Sequence, residues 1–276
     1  MIRLAYHLGR YFADVGNEKP GLMLIYNGGS YFNNDEVPLI MQKWIFEKVV
    51  NKYPSIRNIL VESRPEFIKA EKLEEMKSIM GRKCSLSVAI GLECQSDEIR
   101  KHSINKGFSK HDYNRAVELL KGFGVHVMTY VFLKPLMLTE REAIREAIAT
   151  IKYAFAHKSD SVALQAAFIQ EGTVMCRFYK DGKFSLPWLW SIIAVVKKCA
   201  NLGPIHIGSF HDEPSPIAVP YNCSNCNDRG MELIAVYNKT HDVSVFDGLS
   251  CKCRKLWEKE VKKATPPRSG RLLSVL

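Results

Sequence analysis

Between residues 21 and 175 short apolar runs alternate with segments of helical periodicity, and each run ends in a polar or Gly/Pro-containing turn. The first run, Gly21 to Tyr26, ends in Asn27-Gly28-Gly29-Ser30, and Pro38 to Tyr53 reads as the helix that follows. Arg57 to Val61 ends in Glu62-Ser63-Arg64-Pro65-Glu66 and leads to a helix near Lys72 to Met80. Ser85 to Ile90 ends in Gly91-Leu92-Glu93, and after a polar stretch His111 to Phe123 is helical. Val125 to Leu133 ends in Lys134-Pro135, where Thr139 is the N-cap of a helix to about Ala156, with Glu142 three residues on as a capping box. A fifth run, Ser161 to Ile169, ends in Gln170-Glu171-Gly172-Thr173.

Strand-then-helix units of this kind predict an α/β fold with a parallel sheet or a βα barrel. Runs so continuously apolar predict strands covered on both faces. Ligands of such folds lie at the C-terminal ends of the strands, so the five turns are candidates for one binding rim. The plainer alternative is that Gly and Pro end the strands while the charges face water. Residues 174–221 are less regular. Pro187 to Leu202 predicts a helix, Ile205 to Phe210 a strand, and Pro214, Pro216 and Pro220 a linker. Three regions are therefore expected: a strand–helix domain over 1–212, a cysteine module over 213–258 and a basic tail over 259–276. The tail, with Lys259, Lys262, Lys263, Arg268 and Arg271 interrupted by Pro266-Pro267, is expected to fray.

Four of the eight cysteines cluster: Cys223-x2-Cys226, then Cys251-x-Cys253 after 24 intervening residues. Two close thiol pairs suit one tetrahedral ion, and Met231 to Tyr237 is expected to form a strand of the hairpin that brings them together. The pattern predicts structural zinc, with an iron–sulfur cluster as the alternative because four thiolates suit that too. Four cysteines close the shell and leave no position for catalytic water. The other four, Cys84, Cys94, Cys176 and Cys199, are scattered, which indicates a reducing cytoplasm rather than a disulfide framework. Hydrophobic residues at 46% and charged residues at 25% describe an ordinary globular chain of 276 residues. The longest uncharged apolar run, Phe184 to Val196, is too short for a membrane span, and the N-terminus does not read as a signal peptide. A net charge of +10 favours a polyanionic partner such as RNA.

Five blocks carry a resemblance, in order from about residue 20 to 257. They are Gly28-Gly29-Ser30-Tyr31-Phe32 with Glu36-Val37-Pro38; Val61 to Phe67; Ile90 to Glu93 with Ser103-Ile104-Asn105-Lys106-Gly107-Phe108; Leu133-Lys134-Pro135 with Leu138 to Ile144; and Asn222-Cys223-x2-Cys226 with Cys251-x-Cys253. Together they resemble radical S-adenosylmethionine (SAM) enzymes, and specifically the archaeosine-synthase radical SAM subunit family, akin to the Elp3-like tRNA-modifying group. The resemblance implies that residues 1–212 form a partial (βα) barrel of radical SAM type lacking its first strand, followed by the four-Cys module. It implies SAM bound across the rim, with Gly28, Gly29 and Ser30 meeting the amino group of the cofactor's methionine. Glu62, Arg64 and Glu93 would face cofactor or substrate, and Lys134 could touch either; Glu171 lies just outside. A mutual Arg64–Glu62 ion pair is the alternative for that pair, and a solvated lysine for Lys134. No residue is assigned as catalytic.

Radical SAM chemistry also uses a [4Fe–4S] cluster held by three close cysteines after the first strand, yet no cysteine precedes Cys84. Cys84 and Cys94 bracket a strand and read as buried thiols. Met1 to Val15 resembles the helix that follows the cluster loop, so the first strand and its loop are expected to be missing, through truncation, a misplaced start or true loss. The family's reaction is cleavage of lysine from a modified 7-deazaguanine in tRNA to give archaeosine. Its partners are tRNA and the lysine-transferring subunit of archaeosine synthase. The alternative is a non-catalytic tRNA-binding or scaffold subunit.

Overall fold

The computed structural model describes residues 21–263. The helix expected over Met1 to Val15 and the tail residues Arg268 and Arg271 lie outside them. Among the described residues there are six strands: β1 (Leu22–Ile25), β2 (Asn58–Glu62), β3 (Ser85–Glu93), β4 (His126–Leu133), β5 (Ser161–Ala166) and β6 (Ile205–Ile207). Their order in the sheet is sequential, β1 to β6. Pairing is parallel for β1–β2 and β2–β3, and again for β4–β5 and β5–β6. The main helices are α1 (Leu39–Lys52), α2 (Ala70–Met80), α3 (Lys110–Gly122), α4 (Glu140–Ala156), α5 (Val174–Lys180), α6 (Leu189–Cys199), α7 (Asn227–Thr240) and α8 (Arg254–Lys262). Sequential parallel strands joined by helical crossovers are the topology of the (βα) barrel class, as expected from the sequence.

The chain divides into two compact units. The described part of the first comprises residues 21–90 and 112–127. There Val and Ile of β2 and β3 are buried with Ile45, Phe46 and Val49 of α1, Leu73 and Met76 of α2, and Val117 and Leu120 of α3. Among the described residues, coverage of both strand faces is incomplete at β1, where Leu22 and Leu24 are 49% and 45% exposed while Met23 is buried.

In the described part of the second unit, residues 91–111 and 128–263, one continuous core joins β5, β6, α4 and α6 to the cysteine region. Helix α4 begins at the expected place: the Thr139 side chain accepts from the Glu142 N–H, and the Glu142 carboxylate accepts from the Thr139 N–H. Such a cap is worth about 1 kcal/mol. The strand expected over Met231 to Tyr237 is instead part of α7. Gly230, Leu233, Ile234 and Tyr237 are buried, and their spacing of three, four and seven is helical rather than alternating. The expected frayed tail is corrected in part, since Lys259 and Lys262 belong to helix α8.

Helix α7 also finishes the sheet. Asn238 accepts from the Ile207 N–H at 2.9 Å and donates to its carbonyl at 2.7 Å, so one side-chain amide stands where a neighbouring strand would pair. The Tyr237 hydroxyl donates to Ile205 O at 2.9 Å. Asn238→Ala should therefore lower unfolding stability by about 2 kcal/mol, because both backbone groups of Ile207 lose their partners. Urea unfolding followed by far-UV circular dichroism checks this.

Candidate functional site

In the first unit the turn after β1 is shaped by two buried aromatics. Tyr31 and Phe32 are 1% and 0% exposed, and the Tyr31 hydroxyl donates to Gln42 O at 3.0 Å. Burial pushes the Tyr31 phenol pKa well up, so it stays neutral. With those rings anchored, Gly28 turns at φ +68°. Gly29 leaves room for the Glu36 carboxylate, since a Cβ there would stand 1.8 Å from Glu36 Oε2. That oxygen accepts from the Ser30 N–H at 2.6 Å, and Glu36 Oε1 accepts from Asn33 at 3.0 Å.

The turn after β2 is tied to this loop. The Arg64 N–H donates to the buried Ser30 Oγ at 3.1 Å, and the Tyr31 N–H donates to Glu62 O at 2.7 Å. The Arg64 guanidinium reaches Glu66 at 2.6 Å. Gly28, Gly29, Ser30, Glu62 and Arg64 are thus brought together. Two buried acceptors beside them, Asn27 Oδ1 and Glu66 Oε2, have no partner among the described residues. Unpartnered buried acceptors call for donors such as ligand amino or hydroxyl groups.

In the second unit Glu93 and Lys134 end β3 and β4 in left-handed backbone, at φ 63° and 68°. Non-glycine residues there cost roughly 1–2 kcal/mol, a strain that clusters at functional sites. Glu93 accepts from Lys106 at 2.8 Å. Lys106 sits in the 94–110 segment, which is organised by the buried Arg100 through Cys94 O, Phe108 O and Asp97.

Lys134 is not a solvated lysine. It is 3% exposed, and its ammonium donates to Glu140 Oε2 at 2.5 Å, Ser185 Oγ at 3.1 Å and Leu186 O at 3.3 Å. Glu140 Oε1 accepts from the Trp188 N–H at 3.1 Å and from the Ser191 hydroxyl, whose oxygen in turn accepts from Trp257 Nε1 at 2.8 Å. A cleft of about 420 Å³ opens over this pair, lined also by Thr139, Lys183, Phe184 and Lys263.

The second unit also brings the four clustered cysteines together. The Sγ atoms of Cys223, Cys226, Cys251 and Cys253 lie within 4.8 Å of one another. Neighbouring pairs stand 3.7 Å (Cys223–Cys226), 3.5 Å (Cys223–Cys251) and 3.5 Å (Cys226–Cys253) apart. Cys226 and Cys253 are the N-caps of α7 and α8, where the helix dipole favours thiolate. Trp190 Nε1 donates to Cys253 Sγ at 3.3 Å, fixing it from behind. With no ion bound, burial and neighbouring thiols push Cys226 up, and burial pushes Cys253 up. The Cys253 N–H, and then the Cys223 thiol, bring Cys251 down to about 7. Among the described residues this is the one group of three or more His, Cys, Asp or Glu able to hold a metal. Cys84 and Cys94 flank β3 nine residues of strand apart, half-buried and buried respectively, with both thiols pushed up by burial. Glu36, Lys106, Arg100 and Glu140 were missed as site residues by sequence reasoning; Glu36, Lys106 and Glu140 stand within the recognisable blocks, but their partners are set by folding.

No protein-family model matches the chain. The archaeosine synthase subunit beta of Methanosarcina acetivorans is 31% identical over 239 residues, which is 86% of this chain and 68% of that protein. The protein of the same name from Thermococcus kodakarensis is 31% identical over 252 residues, covering 88% and 75%. Among solved structures, Elp3 of Methanocaldococcus infernus with an N-terminal deletion superposes with a TM-score of 0.61 at 18% identity, over 88% of this chain. The chain spans 58% of that Elp3 chain, and the likeness is one of fold.

The buried Lys134–Glu140 pair gives the prediction for this region. Glu140→Ala leaves an uncompensated ammonium and should cost about 3–5 kcal/mol. The double change Lys134→Met/Glu140→Leu should recover most of that loss in thermal and urea unfolding.

Proposed function

The chain belongs to the archaeosine synthase subunit beta family of Elp3-like radical SAM proteins, and on that premise we propose that it is a SAM-binding subunit for tRNA modification. The observation carrying this reading is the joined pair of turns in the first unit, with its unpartnered acceptors. Asn27, Glu36 and Glu66 offer acceptors for an amino group and ribose hydroxyls. Arg64 can hold a carboxylate, and the backbone of Gly28, Gly29 and Ser30 permits close approach. Glu93 and Lys134 are assigned to cofactor or substrate by resemblance alone, and each already holds a protein partner, Lys106 and Glu140.

The reaction proposed is the family's cleavage of lysine from a modified 7-deazaguanine in tRNA, on a substrate supplied by the lysine-transferring partner subunit. In such enzymes a [4Fe–4S] cluster supplies the electron that splits SAM. No described cysteine set beside the Gly28 loop fits that cluster. The chain's own part is to bind and orient cofactor and RNA.

For the four cysteines we assign one structural zinc. A tetrahedron with Zn–S near 2.3 Å has edges of about 3.8 Å, close to the sulfur spacings found, whereas an iron–sulfur cube holds its thiolates farther apart. Zinc would lock the start of α7 to the start of α8 and add its binding energy to folding. Elemental analysis should give about one zinc per chain, and Cys226→Ser should release it and expose residues after 220 to hydrogen exchange. Binding expels thiol protons, and burial raises the Cys226 and Cys253 pKa values. Occupancy, and the stability it confers, should therefore be full at neutral pH and fall as pH drops. Iron and sulfide in place of zinc would overturn this assignment.

Cofactor binding tests the leading reading. Isothermal titration should detect SAM with a Kd of roughly 0.1–1 mM, or about 4–5 kcal/mol. Gly29→Ala, whose Cβ displaces Glu36, should abolish it. No binding at millimolar SAM in folded protein would leave the tRNA-binding or scaffold reading in its place.

A further inference from the structure

We propose that the exposed lysine face of α8, together with the cleft to which it leads, is the surface on which the phosphate backbone of RNA docks. This inference rests on the tRNA reading above and names the surface that serves it. One side of α8 is committed to the core of the second unit. Trp257 donates to Ser191, Glu260 accepts from Trp188 at 3.4 Å, and Arg141 of α4 donates to Val261 O at 2.5 Å. At 100° per residue, Lys255, Lys259 and Lys262 occupy an arc of roughly 60° on the other side, reaching over about 10 Å of helix axis, and Lys252 and Lys263 stand just beyond its two ends. All five are exposed, and Leu256 at the edge of the row is 58% exposed.

What sets this face apart is a row of lysines without counter-charge. Some other exposed basic residues of the same unit are paired, Lys180 with Glu171, Lys197 with Asp247 and Arg229 with Glu232, while Lys198 and Lys239 are exposed outside such a row. Arg254, off the row, is paired with Glu258 at 3.4 Å. None of the five lysines has an ion pair among the described residues. A row of like charges repels itself, and a polyanion of regular charge spacing relieves that repulsion. The row ends at Lys263, which also lines the cleft over Lys134 and Glu140, with Lys183 on the same rim. At about 420 Å³ the cleft falls in the size range of small-ligand pockets and can take a nucleotide. Ammonium point charges set in a row suit the regularly spaced phosphates of a nucleic-acid backbone.

The test uses the full metal-loaded chain and an unmodified tRNA transcript, with affinity measured by fluorescence anisotropy from 50 to 300 mM salt. Changing Lys252, Lys255, Lys259 and Lys262 together to Gln should make the slope of log K against log salt shallower by about 3, at roughly 0.7–0.9 per phosphate contact. Affinity at 100 mM salt should fall by at least about 30-fold on the same grounds. Changing Arg82, Lys83, Lys198 and Lys239 to Gln removes the same charge elsewhere and should alter affinity by less than about threefold. Reductive methylation of the wild-type chain gives a readout that needs no variant: tRNA should protect the α8 lysines.

Equal losses in both variants, or wild-type binding without protection on α8, overturns the surface while leaving the tRNA reading intact. Wild-type protein that binds no tRNA at 50 mM salt overturns both. Protection of the same lysines by phosphatidylserine vesicles but not by tRNA would assign the face to a membrane and overturn the inference.

Discussion

An ion pair out of water constrains the whole second unit. Lys134 and Glu140 are 3% and 2% exposed, and in that environment every donor and acceptor needs a partner. The partners come from the 183–188 segment, from α6 through Ser191 and from α8 through Trp257. Any shift of α6 or α8 would leave a charge or hydroxyl unsatisfied, so the network selects one arrangement. Because Cys253 begins α8 and Trp190 reaches its sulfur, the cysteine centre and the end of β4 belong to one packed body.

The first unit faces a different problem, holding a glycine-rich turn in place. In its Gly28-Gly29-Ser30 turn only Ser30 is buried. Tyr31 and Phe32 hold it by burying two large rings immediately after it, and Ser30 Oγ ties it to Arg64. Glycine lets the Glu36 carboxylate close over the turn. Anchoring from behind and the Glu36 carboxylate in front together order the turn.

Much of this was legible in the chain. Positions of β2, β3, β5 and helices α1 to α4 follow from apolar period and turn residues, and the Thr139 cap could be placed to the residue. Cysteine spacing picked out the four thiols that the fold gathers into a group able to hold a metal. Errors arose where a short apolar stretch suits either period. Met231 to Tyr237 holds enough apolar residues for a strand, but its buried positions recur at helical spacing, and Asn238 then takes the place of a strand beside β6. Helix α5, of only seven residues, left too little periodicity to notice.

Residue order alone therefore determined the βα alternation, the turns at the strand ends and the thiol set, because period, capping and ligand spacing are local properties. Tertiary structure decided the partners. Lys134 meets Glu140 six residues away but also Ser185 and Leu186, Ser30 meets Arg64 across 34 residues, and Trp257 meets Ser191 across 66. Whether a charged side chain is solvated or paired depends on which distant groups the packed core brings within about 3 Å. Lys134 and the lysines of α8 are alike in sequence, and only packing made the first a buried ion and the others an open row.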